Sequence, residues 1–436
     1  MQEIGIAILG FGTVGAGVVH AIAENEALIT ARTGLKVSVK KIADLDITSD
    51  RGVTVDAGCL TTDASAAIND PEVHVVVETI GGTTIAKKFM LEALNAGKSV
   101  VTANKALLAE HGTEMYAAAE ASGADLLYEA SVAGGIPIIK SLREGLVGNR
   151  IESVFGIMNG TCNYILTRME NEGIAFDEVL DEAQKAGYAE AEPSLDIDGF
   201  DTAHKAAIIA SLAFGKTFEF DDIYVAGIRG LDTRDVDYAA ELGYRMKLLA
   251  VIRNSDPASD CDAVQVRVQP TLIPRDHMLA NVSGAFNAVL VRGDTVGETL
   301  YYGQGAGRFP TASAVISDII DAARNVAMDC RGRVHAMPTN GAGVLADIGS
   351  TVVRYYLRLN LKDNPGVLGK VTQVLGAQNI SLASVIQKST EAGDFVPVVF
   401  LTQECKVADM DAALERLTGM PEVADEVVRM IVEDLA

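Results

Sequence analysis

The sequence predicts an α/β protein that begins with a doubly wound parallel sheet and continues into two α+β parts. Over the first 130 residues, short β-branched runs alternate with alanine-rich helical stretches, which is the pattern of βαβ units. After Gly135 longer strand-like runs with intervening helices favour a mixed α+β domain, and residues 351–436 form a third, smaller pattern. A chain of 436 residues with 49% apolar residues has room for about three domains of ordinary size.

The composition excludes several classes of function. A net charge of −23 argues against a nucleic-acid or anionic-membrane partner, because both require basic patches. No basic N-terminal region and no apolar run near about 18 residues is present, so neither a signal peptide nor a membrane span is predicted. Five cysteines without a CxxC pair predict neither a disulfide framework nor a zinc site, and they favour a reducing, cytoplasmic location. These cysteines are Cys59, Cys162, Cys261, Cys330 and Cys405.

A glycine-rich turn joins the first predicted strand to the first predicted helix. Its G-x-G-x-x-G sequence consists of Gly10, Phe11, Gly12, Thr13, Val14 and Gly15. Glycines at these positions allow a tight turn and let a pyrophosphate approach the amides of the helix N-terminus. The alternative is a turn that only packs the helix on the strand. The strand before it, the helix after it and the βαβ pattern beyond favour a Rossmann-type domain that binds NAD or NADP.

The sequence leaves the choice between NAD and NADP open. The second strand ends at Asp44, and an acid at that position would hold a ribose hydroxyl and favour NAD. Lys40, Lys41 or Arg51 could instead meet a 2′-phosphate and favour NADP. Both cofactors therefore remain candidates.

Two further strands end at the edge where parallel sheets bind ligands. The strand VVVETIGG ends at Thr79 and Gly81, which we expect to border the nicotinamide ribose. The strand SVVTANK runs through Thr102 into Lys105, so we expect both residues at the same edge. A lysine at this position could equally be a solvated residue at a helix start.

Residues 183–205, AQKAGYAEAEPSLDIDGFDTAHK, combine carboxylates, a turn and a lysine before an apolar helix. Asp201 and Lys205 stand four apart, so they share one helix face with Cβ atoms about 5–6 Å apart. A lysine held between a carboxylate and an apolar bed can act as a proton donor or an electrostatic clamp. The alternative is an ordinary surface ion pair.

These motifs follow one order through residues 1–330 and together resemble homoserine dehydrogenases. The family signature within 183–205 is matched at Ala183, Gly187, Pro193, Asp196, Gly199, Asp201 and Lys205. The resemblance implies reversible NAD(P)H-dependent reduction of L-aspartate 4-semialdehyde to L-homoserine, a step toward threonine, methionine and isoleucine. It implies Lys205 as proton donor, Lys105 as the lysine that orients substrate and stabilises charge, and Asp201 as the acid that orients Lys205. Glu190 would bind the substrate ammonium, with Lys105 and Asp201 completing the substrate site.

The resemblance also implies a site for a monovalent cation, Na⁺ or K⁺, in the loop 128–137. Its ligands would be Glu129 and the carbonyls of Val132, Gly134 and Ile136. Hard cations prefer oxygen ligands, and a glycine-rich turn exposes carbonyls. The alternative is a plain strand-to-helix turn.

The resembling family predicts the domain boundaries. The predicted parts are 1–134 for nucleotide binding, completed by a helix at about 310–330, then 135–336 for catalysis and dimerisation, a linker at 337–350, and a separate small module at 351–436. The glycine turn before the returning helix adds Gly307 to the cofactor-binding residues. A homodimer or homotetramer is expected.

Residues 351–436 resemble an ACT domain, a βαββαβ module that senses amino acids. Its DNPGVL turn places free amides at a helix N-terminus, which suits a ligand carboxylate. The candidate effector residues are Asp363, Asn364, Gly366, Val367, Asn379 and Ile380. Threonine is the favoured effector, and a module that only mediates assembly is the alternative.

Two other functions are compatible with parts of the sequence. One is an amino-acid-sensing, nucleotide-binding regulatory protein without turnover, which the intact Lys105, Glu190, Asp201 and Lys205 oppose. The other is a dehydrogenase for a different amino-acid semialdehyde. No catalytic-cysteine motif supports an aspartate-semialdehyde dehydrogenase.

Overall fold

The computed structural model describes residues 2–255, 263–337, 341–388 and 395–435, and its first sheet has six parallel strands. The strands are β1 (Gln2–Leu9), β2 (Leu35–Ala43), β3 (Leu60–Thr61), β4 (Val75–Glu78), β5 (Ser99–Thr102) and β6 (Leu126–Leu127). The helices between them are α1 (Thr13–Thr33), α2 (Ala64–Asn69), α3 (Ile85–Asn95) and α4 (Lys105–Ser122). The spatial order β3-β2-β1-β4-β5-β6 is that of a dinucleotide-binding fold, which confirms the predicted class.

The central strand β1 explains why this sheet is covered on both faces. Ile4, Ile6 and Ile8 enter one apolar cluster, while Ala7 and Leu9 enter another. A strand buried on both faces needs a nearly continuous apolar run, and the sequence IGIAIL supplies it.

The middle part is a mixed α+β region. Its helices are α5 (Ile138–Lys140), α6 (Gly160–Glu172), α7 (Phe176–Lys185), α8 (Ser194–Ile197), α9 (Phe200–Phe214), α10 (Thr233–Glu241) and α11 (Arg308–Ala327). Its strands are β7 (Ile151–Ile157), β8 (Tyr224–Val225), β9 (Tyr244–Asn254), β10 (Val264–Pro274), β11 (Phe286–Gly293) and β12 (Gly297–Gln304). Helix α11 returns to the first sheet, because Val315 and Ile319 share an apolar cluster with Ile6 of β1 and Val18 of α1.

The C-terminal part has the element order βαββαβ, with one additional short strand. Its elements are β13 (Val352–Lys362), α12 (Val367–Ala377), β14 (Leu382–Gln387), β15 (Phe395–Thr402), β16 (Cys405–Lys406), α13 (Val407–Thr418) and β17 (Val423–Val432). Its strands do not form a sheet of their own. Strand β17 pairs in parallel with β10 through Thr271–Ile431 and Leu272–Val432, so one sheet, with eleven strands among the described residues, runs through both parts.

Two buried ion pairs reinforce this joint. Arg358 of β13 donates to both carboxylate oxygens of Asp235 on α10, at 2.6 and 2.9 Å, and Tyr356 donates to the same carboxylate at 2.7 Å. Arg267 of β10, which is fully buried, pairs with Glu433 just beyond β17. Removing residues 351–436 would leave Asp235 and Arg267 without these partners. The predicted linker at 337–350, of which residues 338–340 lie outside the described ranges, thus connects parts that are tightly packed together.

The composition predicted no membrane span and no disulfide framework. None of the helices within the described ranges is long and apolar enough to cross a membrane. Cys59, Cys162, Cys330 and Cys405 are free thiols, whereas Cys261 falls outside the described residues.

We predict that Asp235→Ala lowers the free energy of unfolding by about 3–5 kcal/mol, because it leaves the Arg358 guanidinium buried without its carboxylate. The matched control is Glu241→Ala, on the same helix, which removes an exposed ion pair with Lys388. Exposed pairs contribute about 0–1 kcal/mol. Urea unfolding of both variants measures the difference, and equal losses would contradict the structural role of the Asp235–Arg358 pair.

Candidate active site

A cleft of about 940 Å³ brings seven of the predicted site residues together. The residues of the sequence prediction that line it are Val14, Lys105, Gly134, Glu190, Asp201, Lys205 and Gly307. They come from the glycine turn, the edge of the first sheet, the loop 128–137, the segment between α7 and α8, helix α9 and the loop before α11. The cleft therefore joins the nucleotide-binding end of the first sheet to the carboxylate-rich segment of the second part.

Asp201 is the centre of the charged end of the cleft. Lys205 Nζ donates to Asp201 Oδ2 at 2.6 Å and to the carbonyl oxygen of Met158 at 2.6 Å. Lys105 Nζ lies 3.2 Å from the other carboxylate oxygen, Asp201 Oδ1. Asp201 and Lys205 are 5% and 8% exposed, so this is a buried pair and not the surface pair that was the alternative.

Electrostatics keep the Asp201 carboxylate ionised. Burial raises the pKa of Asp201, but attraction by Lys205 and Lys105 and hydrogen bonds from Lys205 and Asn159 outweigh it. The pKa of this carboxyl therefore lies well below its usual range. Asp201 is therefore an anion that lies between Lys205 and Lys105.

Helix starts position both lysines. Asn104 caps α4 by accepting the Leu107 amide at 3.1 Å, which makes Lys105 the first helical residue at the sheet edge. Gly199, with φ of +91°, turns the chain into α9. Asp201 and Lys205 then occupy successive turns of one face, as the spacing predicted.

Asn159 and Asp196 belong to the same centre, and the sequence analysis did not assign them a role in the site. Asn159 Nδ2 donates to Asp196 Oδ1 at 2.7 Å and to Asp201 Oδ2 at 2.8 Å, while its Oδ1 caps α6 through the Cys162 amide. Burial and the neighbouring Asp201 charge raise the pKa of Asp196. Asp196 was visible as a signature residue, but Asn159 is 42 residues from Asp201, so its contact with that carboxylate depends on the fold.

Glu190 lines the cleft and is exposed. Its segment is held by Gln184, whose Nε2 donates to the Glu190 carbonyl oxygen at 3.0 Å. Tyr188, two residues earlier, stacks on Tyr164 with ring centroids 4.8 Å apart. Glu190 is thus accessible from the solvent side of the cleft.

The three glycine positions of the first turn require glycine for different physical reasons. A Cβ at Gly10, where φ is +96°, would lie 2.8 Å from the Thr79 carbonyl group, and one at Gly15 would lie 2.0 Å from the Gly10 oxygen. These two glycines are required by packing. A Cβ at Gly12 would contact no protein atom within 4 Å, so its absence leaves space for a ligand.

Two predicted cofactor residues, Asp44 and Thr79, hold the main chain of this turn, and two others are held by Glu78. Asp44 accepts the amide of Phe11 at 2.5 Å, and Thr79 donates its hydroxyl to the Gly10 carbonyl oxygen at 2.9 Å. Glu78, which is buried and was not singled out from the sequence, accepts the Gly81 amide at 2.9 Å and the Thr102 hydroxyl at 2.6 Å. The Thr102 side chain thus lies beneath the surface of the site.

The candidate cation loop has a buried acid at its start. Glu129 accepts the amides of Ile139 and Lys140 at 2.9 and 2.8 Å. Burial and the neighbouring Asp318 charge raise the pKa of Glu129 to about 7. The Ile136 carbonyl oxygen also accepts an amide, from Ile138 at 2.8 Å. The Glu129 carboxylate and the Ile136 carbonyl oxygen thus have partners in the protein, as the alternative of a strand-to-helix turn requires.

The candidate effector turn lies at the surface of the C-terminal part. Asp363, Asn364 and Gly366 are exposed, and Gly366, with φ of +90°, begins helix α12. Asn379 also has a positive φ, +56°, where the chain leaves that helix. Val367 and Ile380 are buried in the module's core, so they support the turn from below.

A Rossmann-type sheet and a buried lysine–carboxylate centre in one cleft define a nicotinamide-dependent oxidoreductase. Residues 10–129 match the model for the homoserine dehydrogenase NAD-binding domain, 137–320 that for homoserine dehydrogenase, and 355–419 that for the ACT domain. The chain belongs to the homoserine dehydrogenase family.

Three relatives match over the full length of this chain, and a fourth matches over about three quarters of it. The homoserine dehydrogenases of Neisseria gonorrhoeae and Pseudomonas aeruginosa are 43% and 44% identical, over 100% of this chain and of each relative. The solved homoserine dehydrogenase of Thiobacillus denitrificans has a TM-score of 0.93 and 43% identity over 100% of this chain and 99% of that chain. A hyperthermophilic archaeal homoserine dehydrogenase in complex with NADPH has a TM-score of 0.62 and 28% identity, over 74% of this chain and 98% of that one.

We predict that Gly12→Val leaves the melting temperature nearly unchanged but weakens binding of NADH and NADPH at least about tenfold, or about 1.4 kcal/mol. The reason is that the valine side chain enters space that the protein does not use. Fluorescence titration of the reduced dinucleotide measures the affinity. Unchanged affinity would show that the glycine turn only packs the helix.

Proposed function

We propose that the protein catalyses the reversible NAD(P)H-dependent reduction of L-aspartate 4-semialdehyde to L-homoserine. The observation that carries this proposal is the Lys205–Asp201–Lys105 centre, which lies in the same cleft as Val14 of the glycine turn. When bound, the dinucleotide supplies the hydride that adds to the aldehyde carbon. The protein must then stabilise the charge on the aldehyde oxygen and deliver a proton to it.

Lys205 is the proton donor of this proposal. An ammonium group has three donors, and Lys205 directs two of them to Asp201 and the Met158 carbonyl. The third has no partner among the described residues and is available to the aldehyde oxygen. Proton transfer leaves Lys205 neutral and converts the developing alkoxide to the homoserine hydroxyl, and Lys205 is then reprotonated from solvent.

Lys105, Glu190 and Asp196 would bind the substrate. Lys105 is the more exposed lysine and makes one ion pair, so it retains donors for the substrate oxygen or carboxylate. Glu190 would accept the substrate ammonium, and Asp196 would extend the acidic wall around it. This arrangement selects an amino acid over an uncharged aldehyde.

Two alternative functions make different demands on the site. Cys162 lies beside the centre, where burial and the Asp196 charge raise the pKa of its thiol well above the usual range. It is therefore poorly suited to be the catalytic thiolate that an aspartate-semialdehyde dehydrogenase would need. A regulatory protein without turnover would show no substrate-dependent oxidation of NAD(P)H. Assays with aspartate semialdehyde, another amino-acid semialdehyde and cofactor alone distinguish the three possibilities.

We also propose the finer features of this function. Either NAD or NADP serves as cofactor, and the oxygen-only ligand set of loop 128–137 suits Na⁺ or K⁺. The exposed turn before α12 would bind an amino-acid effector, with threonine favoured, and regulate a cytoplasmic homodimer or homotetramer. The shared eleven-stranded sheet supports such regulation, because it connects the effector module with the catalytic part.

We predict that Lys205→Ala lowers kcat about 10²–10⁴-fold while the dissociation constant for NADPH changes little, since the lysine acts on the carbonyl oxygen. The control is Lys216→Ala, just beyond the C-terminal end of the same helix, which should retain full activity. Steady-state kinetics and fluorescence titration give the two quantities. A wild-type kcat in the Lys205 variant would refute its assignment as proton donor.

A further inference from the structure

Asn287 carries a buried carboxamide that has no role in the centre described above. It lies on β11, is 1% exposed and lines the active-site cleft. Within the described ranges, neither its Oδ1 nor its Nδ2 has a hydrogen-bond partner. Buried polar groups in proteins are nearly always hydrogen-bonded, and an unsatisfied one opposes folding. A free donor and a free acceptor at a cleft therefore indicate a ligand contact.

The surroundings of Asn287 place it on the side of the cleft that adjoins the nucleotide-binding part. A Cβ at Gly305 would lie 1.9 Å from Asn287 Nδ2, so the loop before α11 packs directly against the carboxamide. Two residues later this loop contains Gly307, which caps α11. Helix α11 packs with α1, whose N-terminal Val14 lines the same cleft.

The hydrogen-bonding chemistry of Asn287 Oδ1 and Nδ2 distinguishes two possible ligand groups, the charged ends of an amino-acid substrate and a neutral carboxamide. The charged ends of an amino-acid substrate are matched better by the charged side chains Lys105, Glu190, Asp196 and Asp201, because charge-assisted hydrogen bonds are stronger. A neutral carboxamide is matched by another neutral carboxamide, which offers one acceptor oxygen and one donor NH₂ group. The nicotinamide ring carries such a group.

We propose that Asn287 binds the carboxamide of the nicotinamide ring and so fixes which face of the ring is turned toward the substrate. Asn287 Nδ2 donates to the carboxamide oxygen, and Asn287 Oδ1 accepts from its NH₂ group. This inference rests on the proposed use of NAD(P)H by the cleft. Asn287 is a binding residue that orients the ring and takes no part in proton transfer.

The test compares ligands with and without the ring on the full-length chain. Asn287→Leu, which is nearly isosteric, and Asn287→Ala should each weaken binding of NADH and NADPH about tenfold or more. Their affinity for ADP-ribose and 2′-phospho-ADP-ribose should stay within about twofold of wild type. The 3-acetylpyridine analogue has no NH₂ donor, so it should discriminate less between wild type and variants. Isothermal titration calorimetry measures all of these affinities.

Stability without ligand provides a second readout. Because the Asn287 carboxamide has no hydrogen bond to lose among the described residues, Asn287→Leu should melt at or above the wild-type temperature. The matched control is Gln269→Met. Gln269 is a buried amide whose Nε2 also has no partner within the described ranges, but it does not line the cleft. This control should bind NADH and NADPH as wild type does.

Three outcomes would overturn the inference. Wild-type affinity of both Asn287 variants for NADH and NADPH would show that the carboxamide does not contact the ring. An equal loss of affinity for ADP-ribose, with a lower melting temperature, would show that Asn287 supports the fold. If wild type binds neither dinucleotide, the proposed function itself fails, and this inference fails with it.

Discussion

A single buried carboxylate, that of Asp201, holds the reactive end of the cleft together. It is shared by Lys205 of its own helix, Lys105 of the nucleotide-binding part and the amide of Asn159. Each of these groups comes from a different element, so the carboxylate sets their distances from one another. Two ammonium groups side by side would repel each other, and the anion between them makes the arrangement stable. The nucleotide-binding turn and the substrate-binding acids are useful only because this centre faces the same cleft.

Local sequence patterns predicted the parts of this site that lie on one element. The glycine turn and the Asp201–Lys205 spacing each belong to one strand–turn–helix or one helix face, so periodicity and turn chemistry are sufficient. Asn159 and Asn287 could not be predicted in this way, because each acts across the fold on groups far away in sequence. Glu78 was missed because a buried acid at a strand end has no signature until its amide and hydroxyl partners are seen.

The C-terminal part of the chain also has features that local sequence patterns predicted and contacts that they did not. Its βαββαβ order follows from the alternation of strand and helix patterns, and the structure has that order. The sequence pattern also suggested a separable module, whereas β17 extends the catalytic sheet and Asp235 and Arg267 are neutralised by residues of the module. Pairing between strands so far apart in sequence depends on tertiary packing. An effector bound at the turn before α12 would therefore act on a sheet that also supports the active site.

The kinetics of Asp201→Asn are the most direct test of this role of the carboxylate, because asparagine keeps the size of the side chain but removes its charge and replaces one acceptor oxygen with an NH₂ donor. With the anion gone, Lys205 and Lys105 lose their shared partner and repel each other. We predict a kcat lower by about 10²-fold or more, with the dissociation constant for NADPH within about threefold of wild type. A kcat within about threefold of wild type would show that the lysines are positioned without the carboxylate, and Asp201 would then not be the group that organises the site.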